Sequence, residues 1–139
     1  MTLCRSIAPA LIAVLTLMGS IALGQVAEQD TALAANDCTP RGELRGDPAR
    51  GKALHLQDCA ECHGETGKVD VIVMHMDEPP KDQSDPEYMR TLTDAFLYLA
   101  ICRGGVPVGR SIVMPAWGDY YSDQDIKDLV AHIRSFSGT

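Results

Sequence analysis

Apolar and polar residues alternate with a helical period at several places in this chain, and no pair of segments alternates convincingly as strands. The clearest helix comes last. Ile126, Leu129, Val130 and Ile133 form one stripe at i, i+3, i+4 and i+7. Ser122, with Asp125 three residues on, predicts a capping box with an acidic third position at its start. A second helix is expected from Asp47, an N-cap followed by Pro48, through Ala53, Leu54 and Leu56 to about Cys59. A third should start from Thr91 or Thr93, bury Phe96, Leu97, Leu99, Ala100 and Ile101, and stop at Gly104-Gly105. A short helix is expected over 86–89. Between these lie two long stretches, 64–84 and 104–118, rich in Gly, Pro and charge, that read as loops. Loops this long in a small domain usually have something to organise them.

The N-terminus has a different pattern. Arg5 precedes an apolar run from Ile7 to Leu23 broken only by small or weakly polar residues, the build of a secretory signal. Ala22-Leu23-Gly24 is a fair cleavage site; Ala32-Leu33-Ala34 matches small-x-small more closely but lies far beyond the apolar run. The run is near the lower length limit for a spanning helix, so an uncleaved anchor is the alternative. Either way the functional part is expected outside the cytoplasm. The division is a signal over 1–24, a flexible leader over 25–46 and one functional domain over 47–139.

The net charge is −7, and removing Arg5 with the signal makes it −8. An acidic domain argues against nucleic acid, whose phosphates need a basic footprint. It suits a partner with a basic docking patch, although solubility alone accounts for it equally well. One Trp, two Phe and four Tyr promise only a modest side-chain core.

Residues 59–63 read CAECH. A thioredoxin-like pair needs a βαβ context that is absent from this pattern. A structural zinc needs four ligands, usually from two paired clusters, and past the signal only Cys38 and Cys102 remain, far apart. CxxCH is instead the attachment signal of c-type haem: two thiols for the porphyrin vinyls and an imidazole beside the second, on one face. A flat apolar macrocycle would serve as most of the core. The second iron ligand has many candidates: Met74, Met76, Met89, Met114, His55, His75 and His132. VMPAWG at 113–118 favours Met114, which stands 51 residues after His63, stiffened by Pro115, with Trp117 able to wall the cavity.

CAECHG at 59–64 and MPAWG at 114–118, between terminal helices, resemble the class I monohaem cytochromes c over about residues 47–137. The resemblance implies an all-α fold of three to five helices with long loops wrapped round one covalent haem c. It implies that Cys59 and Cys62 carry the haem, that His63 is the proximal ligand and that Met114 is the distal one. It also implies that the first and last helices cross, with Gly51 or Ala53 meeting the Ile126–Ile133 stripe. The function implied is one-electron transfer without catalysis, as a periplasmic carrier or as an electron-transfer subunit of a respiratory or dehydrogenase complex, with redox proteins as partners. The alternative is a haem enzyme or gas sensor with a labile distal ligand.

Other residues carry weaker expectations. Val71, Val73 and Met76 are expected to pack on the haem edge or face a partner, with His75 exposed. His55 and His132 fall off the apolar stripes and are expected on the surface. Arg103 and Arg110 are expected to pair with haem propionates or solvent. Asp119, Asp123 and Asp125 read as cap and surface charges. Cys38 and Cys102 are expected to be independent, Cys102 buried and Cys38 free or paired with another chain, although a bridge outside the cytoplasm is the alternative.

Overall fold

Each helix starts where its capping chemistry places it. In a computed structural model that describes residues 37–69, 76 and 78–139, Asp47 accepts the Ala49 N–H at 2.8 Å and opens α1 (Pro48–Asp58). Asp85 accepts the N–H groups of Glu87 and Tyr88 and opens α3 (Pro86–Arg90). Thr93 accepts the Phe96 N–H and opens α4 (Asp94–Arg103), which Gly104 ends at a positive φ. The Ser122–Asp125 capping box opens α5 (Asp123–Ser137). Such caps are each worth about 1 kcal/mol. Between α1 and α3, the single-turn α2 (Ala60–His63) follows Cys59 directly. The loop after α4 contains a 3-10 turn, Val106–Val108. Among the described residues there is no strand. The described residues are thus all-α, as the resemblance implies. The expected signal segment, Val71, Val73, Met74 and His75 all lie outside the described residues.

The layout is set by α1 packing along α5. Gly51 makes this possible: a Cβ built there would lie 1.9 Å from the Asp128 carbonyl oxygen and 2.9 Å from the His132 Cβ. The helix backbones therefore approach more closely than any side chain allows. Ala53, the other residue expected at this crossing, is exposed. One turn on from Gly51, His55 is fully buried, and His132 is nearly so. Both were expected on the surface. The apolar stripes misplace them because Gly51, not a large apolar residue, marks the face of α1 that meets α5. The two rings and Phe136 meet edge to face, with centroids 4.6–5.2 Å apart.

Residues 37–46, the described part of the expected flexible leader, are fastened down. Lys127 donates to the Arg41 carbonyl, Arg41 N–H donates to Asp123, and Asp47 N–H donates to the buried Asp128 carboxylate at 2.7 Å. Cys38 and Cys102, expected to be independent, form a disulfide. The pairing corrects that expectation: this path along α5 brings residue 38 to the end of α4.

Arg134 pins the corner between α3 and α4. Its guanidinium bonds the Asp94 carboxylate at 2.7 Å and the carbonyls of Met89 and Leu92 at 2.7 and 2.6 Å. Arg134→Leu is expected to lower stability by about 2 kcal/mol, because two carbonyls and a carboxylate lose a charged donor. A urea midpoint unchanged from wild type would contradict this.

Candidate functional site

The side chains buried between α3, α4 and α5 form a shell rather than a solid core. Of the nine buried apolar residues among those described, Met89, Leu97, Ile101, Leu129 and Ile133 also line a cavity of about 320 Å³. Cys59, Cys62 and His63 open into this cavity from α2 and the residue just before it, and Met114 enters it from the loop after α4. The four residues singled out in the sequence are thus brought to one place. His55 and Met89 also reach the cavity wall, as does Met76, expected at a haem edge. His132 does not line it.

α2 is placed through α1. Cys59 N–H donates to the His55 carbonyl and His63 N–H to the Cys59 carbonyl, both at 2.9 Å, so the CAECH turn runs straight on from the helix before it. Gly64 follows, and its carbonyl lies 2.8 Å from His55 Nε2. A carbonyl only accepts, so His55 carries its proton on Nε2 and holds the residue next to His63. Sequence reasoning missed this role. The signal was available in the spacing, since His55 lies one turn from Gly51 and shares its face.

Met114 stands on a loop built back onto the end of α4. Gly105 N–H donates to the Met114 carbonyl at 3.0 Å, Trp117 N–H to that of Ile101 at 3.0 Å, and Gly118 N–H to that of Cys102 at 2.9 Å. Trp117 walls the cavity as expected and stacks on Tyr121, with 5.6 Å between centroids.

The electrostatics are those of a dry site. Burial, helped by the nearby Asp58 and Cys62, pushes the Cys59 thiol up to about 11, so it stays protonated at neutral pH. Burial, and then the neighbouring His55, push His63 down to about 4, leaving a neutral imidazole. A neutral ring is what a metal needs from histidine. His63 Nδ1 and Gln83 Oε1 are buried and make no hydrogen bond among the described residues. Gln83, another residue the sequence reading missed, lines the cavity. Arg110 also lies on the cavity wall, over the Phe96 ring at 5.6 Å. Arg103 instead donates to the Asp37 carbonyl, away from the cavity. Asp125 is a capping residue as expected. Asp123 does more than sit at the surface, accepting hydrogen bonds from Tyr98 at 2.8 Å and from the Arg41 N–H at 3.2 Å, and pairing with Lys127.

These residues fit a covalent haem c. Apolar walls would take a macrocycle, two free thiols stand three residues apart on one turn, and a neutral imidazole and a thioether face the same space. No group of His, Cys, Asp and Glu that could hold a bare metal ion occurs among the described residues.

Residues 46–133 match the family described as cytochrome c oxidase, cbb3-type, subunit III. The chain is similar to the cbb3-type cytochrome c oxidase subunit CcoP of Azospirillum sp. (strain B510), 32% identical over 98 residues, covering 67% of this chain and 30% of that protein. It is also similar to the CcoP subunit of Azospirillum brasilense, 29% identical over 120 residues, covering 84% of this chain and 36% of that protein. The chain spans about a third of the length of these relatives. Among its described residues, no helix is long and apolar enough to cross a membrane.

Proposed function

The chain belongs to the cytochrome c family described as cytochrome c oxidase, cbb3-type, subunit III, and from that membership we propose that it is a one-electron carrier domain working within a respiratory oxidase assembly outside the cytoplasm. The observation that carries this reading is the meeting of Cys59, Cys62, His63 and Met114 on one apolar cavity. In it, Cys59 and Cys62 would hold one haem c through thioethers, with His63 as the proximal and Met114 as the distal iron ligand. The bound group supplies one-electron exchange at its iron. The chain's own residues keep that exchange clean. The apolar side chains of α4 and α5 exclude water, and the neutral His63 has a ring nitrogen lone pair to offer the iron. The Met114 thioether fills the distal side and favours a higher potential than a second imidazole would. Trp117, Arg110 and Gln83 line the same cavity, and their N–H groups would suit the carboxylates of the macrocycle. The Cys38–Cys102 disulfide supports an oxidising compartment. The names of the CcoP relatives support an oxidase complex as the assembly. Residues 1–24 act as an export signal, 25–46 as its leader, and 47–139 as the haem domain.

The test is the optical spectrum of the oxidised protein beside that of Met114→Ala. Wild type is expected to show the weak far-red band of thioether-ligated ferric haem and, when reduced, to bind no carbon monoxide. Met114→Ala should lose the band, bind carbon monoxide stoichiometrically and fall in reduction potential. A wild-type protein without the band that takes up carbon monoxide at once would replace the carrier reading with that of a gas-binding protein.

A further inference from the structure

We infer that the Cys38–Cys102 disulfide is a positioning device for the Met114 loop, keeping the distal side of the cavity closed; this rests on the distal role proposed for Met114. Cys102 lies at the end of α4, 2% exposed, directly beneath that loop. A Cβ built on Gly118 would come 2.7 Å from the Cys102 sulfur and 3.2 Å from that of Cys38. The loop therefore rests on both sulfurs, with a glycine where any side chain would collide with them. On its backbone side, Cys102 accepts the Gly118 N–H, and Ile101 beside it accepts the Trp117 N–H. One residue thus joins the bridge to the loop three positions beyond the proline that follows Met114.

The other end of the bridge leads to α5. Arg103 donates to the Asp37 carbonyl at 3.1 Å, and Arg41 is held by Asp123 and Lys127. Cys38 itself takes a left-handed backbone, φ +61, which is costly for a residue with a side chain and persists only where the surroundings hold it. The contact path runs from α5 through 37–46 and the bridge to Gly118, Trp117 and the Met114 backbone. Outside the cavity the loop buries little of its own to substitute for this tether, since Val106 and Ile112 are 60% and 83% exposed.

The test uses the haem-loaded full chain and its Cys38→Ser variant. This substitution cuts the tether but leaves the Cys102 sulfur under Gly118. Two readouts are taken: amide exchange along the backbone, and carbon monoxide binding to the reduced protein. The expected result is exchange at Trp117 and Gly118 faster by about tenfold, carbon monoxide uptake where wild type takes up none as the open fraction rises, and unchanged protection in α1 and α5. Unchanged exchange and unchanged carbon monoxide binding would overturn the inference. So would an even loss of protection across α1 and α5, which would make the bridge a general brace. If Cys38→Ser does not load haem, the same readouts apply to wild type after a small dithiol has reduced the bridge. Each dithiol then gives up two electrons and two protons to become a disulfide, while Cys38 and Cys102 become thiols. If wild type itself lacks the thioether band, the ligation reading has failed. Exchange at Trp117 and Gly118 then still decides whether the bridge holds the loop.

Discussion

Replacing Cys59 and Cys62 together by alanine is expected to leave a chain with no covalently held haem and a fold weakened by more than about 4 kcal/mol, the stabilisation given by a group bound at a thousand times its dissociation constant. The reason lies in the shell-like core. Met89, Leu97, Ile101, Leu129 and Ile133 are buried, yet each also lines the cavity. Their packing is completed by whatever fills that space, so binding energy becomes folding energy. His63 and Met114 would remain, but without thioethers the group they hold exchanges with solvent. Haem staining after denaturing electrophoresis reads the attachment, and thermal unfolding followed by circular dichroism reads the fold. Haem that stays with the double variant through denaturation would sink the assignment of these two thiols.

Gly51→Val is expected to destabilise the protein by more than about 4 kcal/mol, among the largest effects of any single substitution outside the haem site. The new Cβ would meet the Asp128 carbonyl carbon and oxygen at 2.4 and 1.9 Å. Both belong to helix backbone, which has no rotamer to give way. α1 would have to lift from α5, pulling Asp47 from Asp128 and His55 from Phe136. Because α2 runs on from α1, the CAECH turn would move as well. Ala53→Leu, two residues along on the exposed side of the same helix, should change stability by no more than about 0.5 kcal/mol. Equal urea midpoints for the two variants would show that the crossing tolerates separation.

Much of this was legible in the chain because the physics involved is local. A cap needs a side chain within three residues of the N–H it accepts, so Asp47 and Ser122 announce their helices unaided, and the choice at α4 narrowed to Thr91 or Thr93. The CAECH turn is equally local: two thiols and an imidazole fall on one side of a single helical turn. The placement of Met114 was legible more weakly, through a proline and a tryptophan beside it.

What stayed hidden depends on residues far apart in sequence. His55 and His132 look like surface residues when each helix is judged by its own apolar stripe. They are buried because two helices more than sixty residues apart cross at a glycine. The link between Cys38 and Cys102 was equally invisible, since sequence carries no distance across a separation of 64 residues. By itself the sequence determined four of the five described helices and their approximate ends, and marked the CxxCH turn and the Met114 loop as candidates. The tertiary structure alone decided that Gly51 sets the helix crossing, that His55 holds the residue beside His63, and that a disulfide underlies the loop of Met114. The physical reason is range: capping and periodicity act within one or two turns, whereas close packing and a covalent bridge depend on where the whole chain has brought each residue.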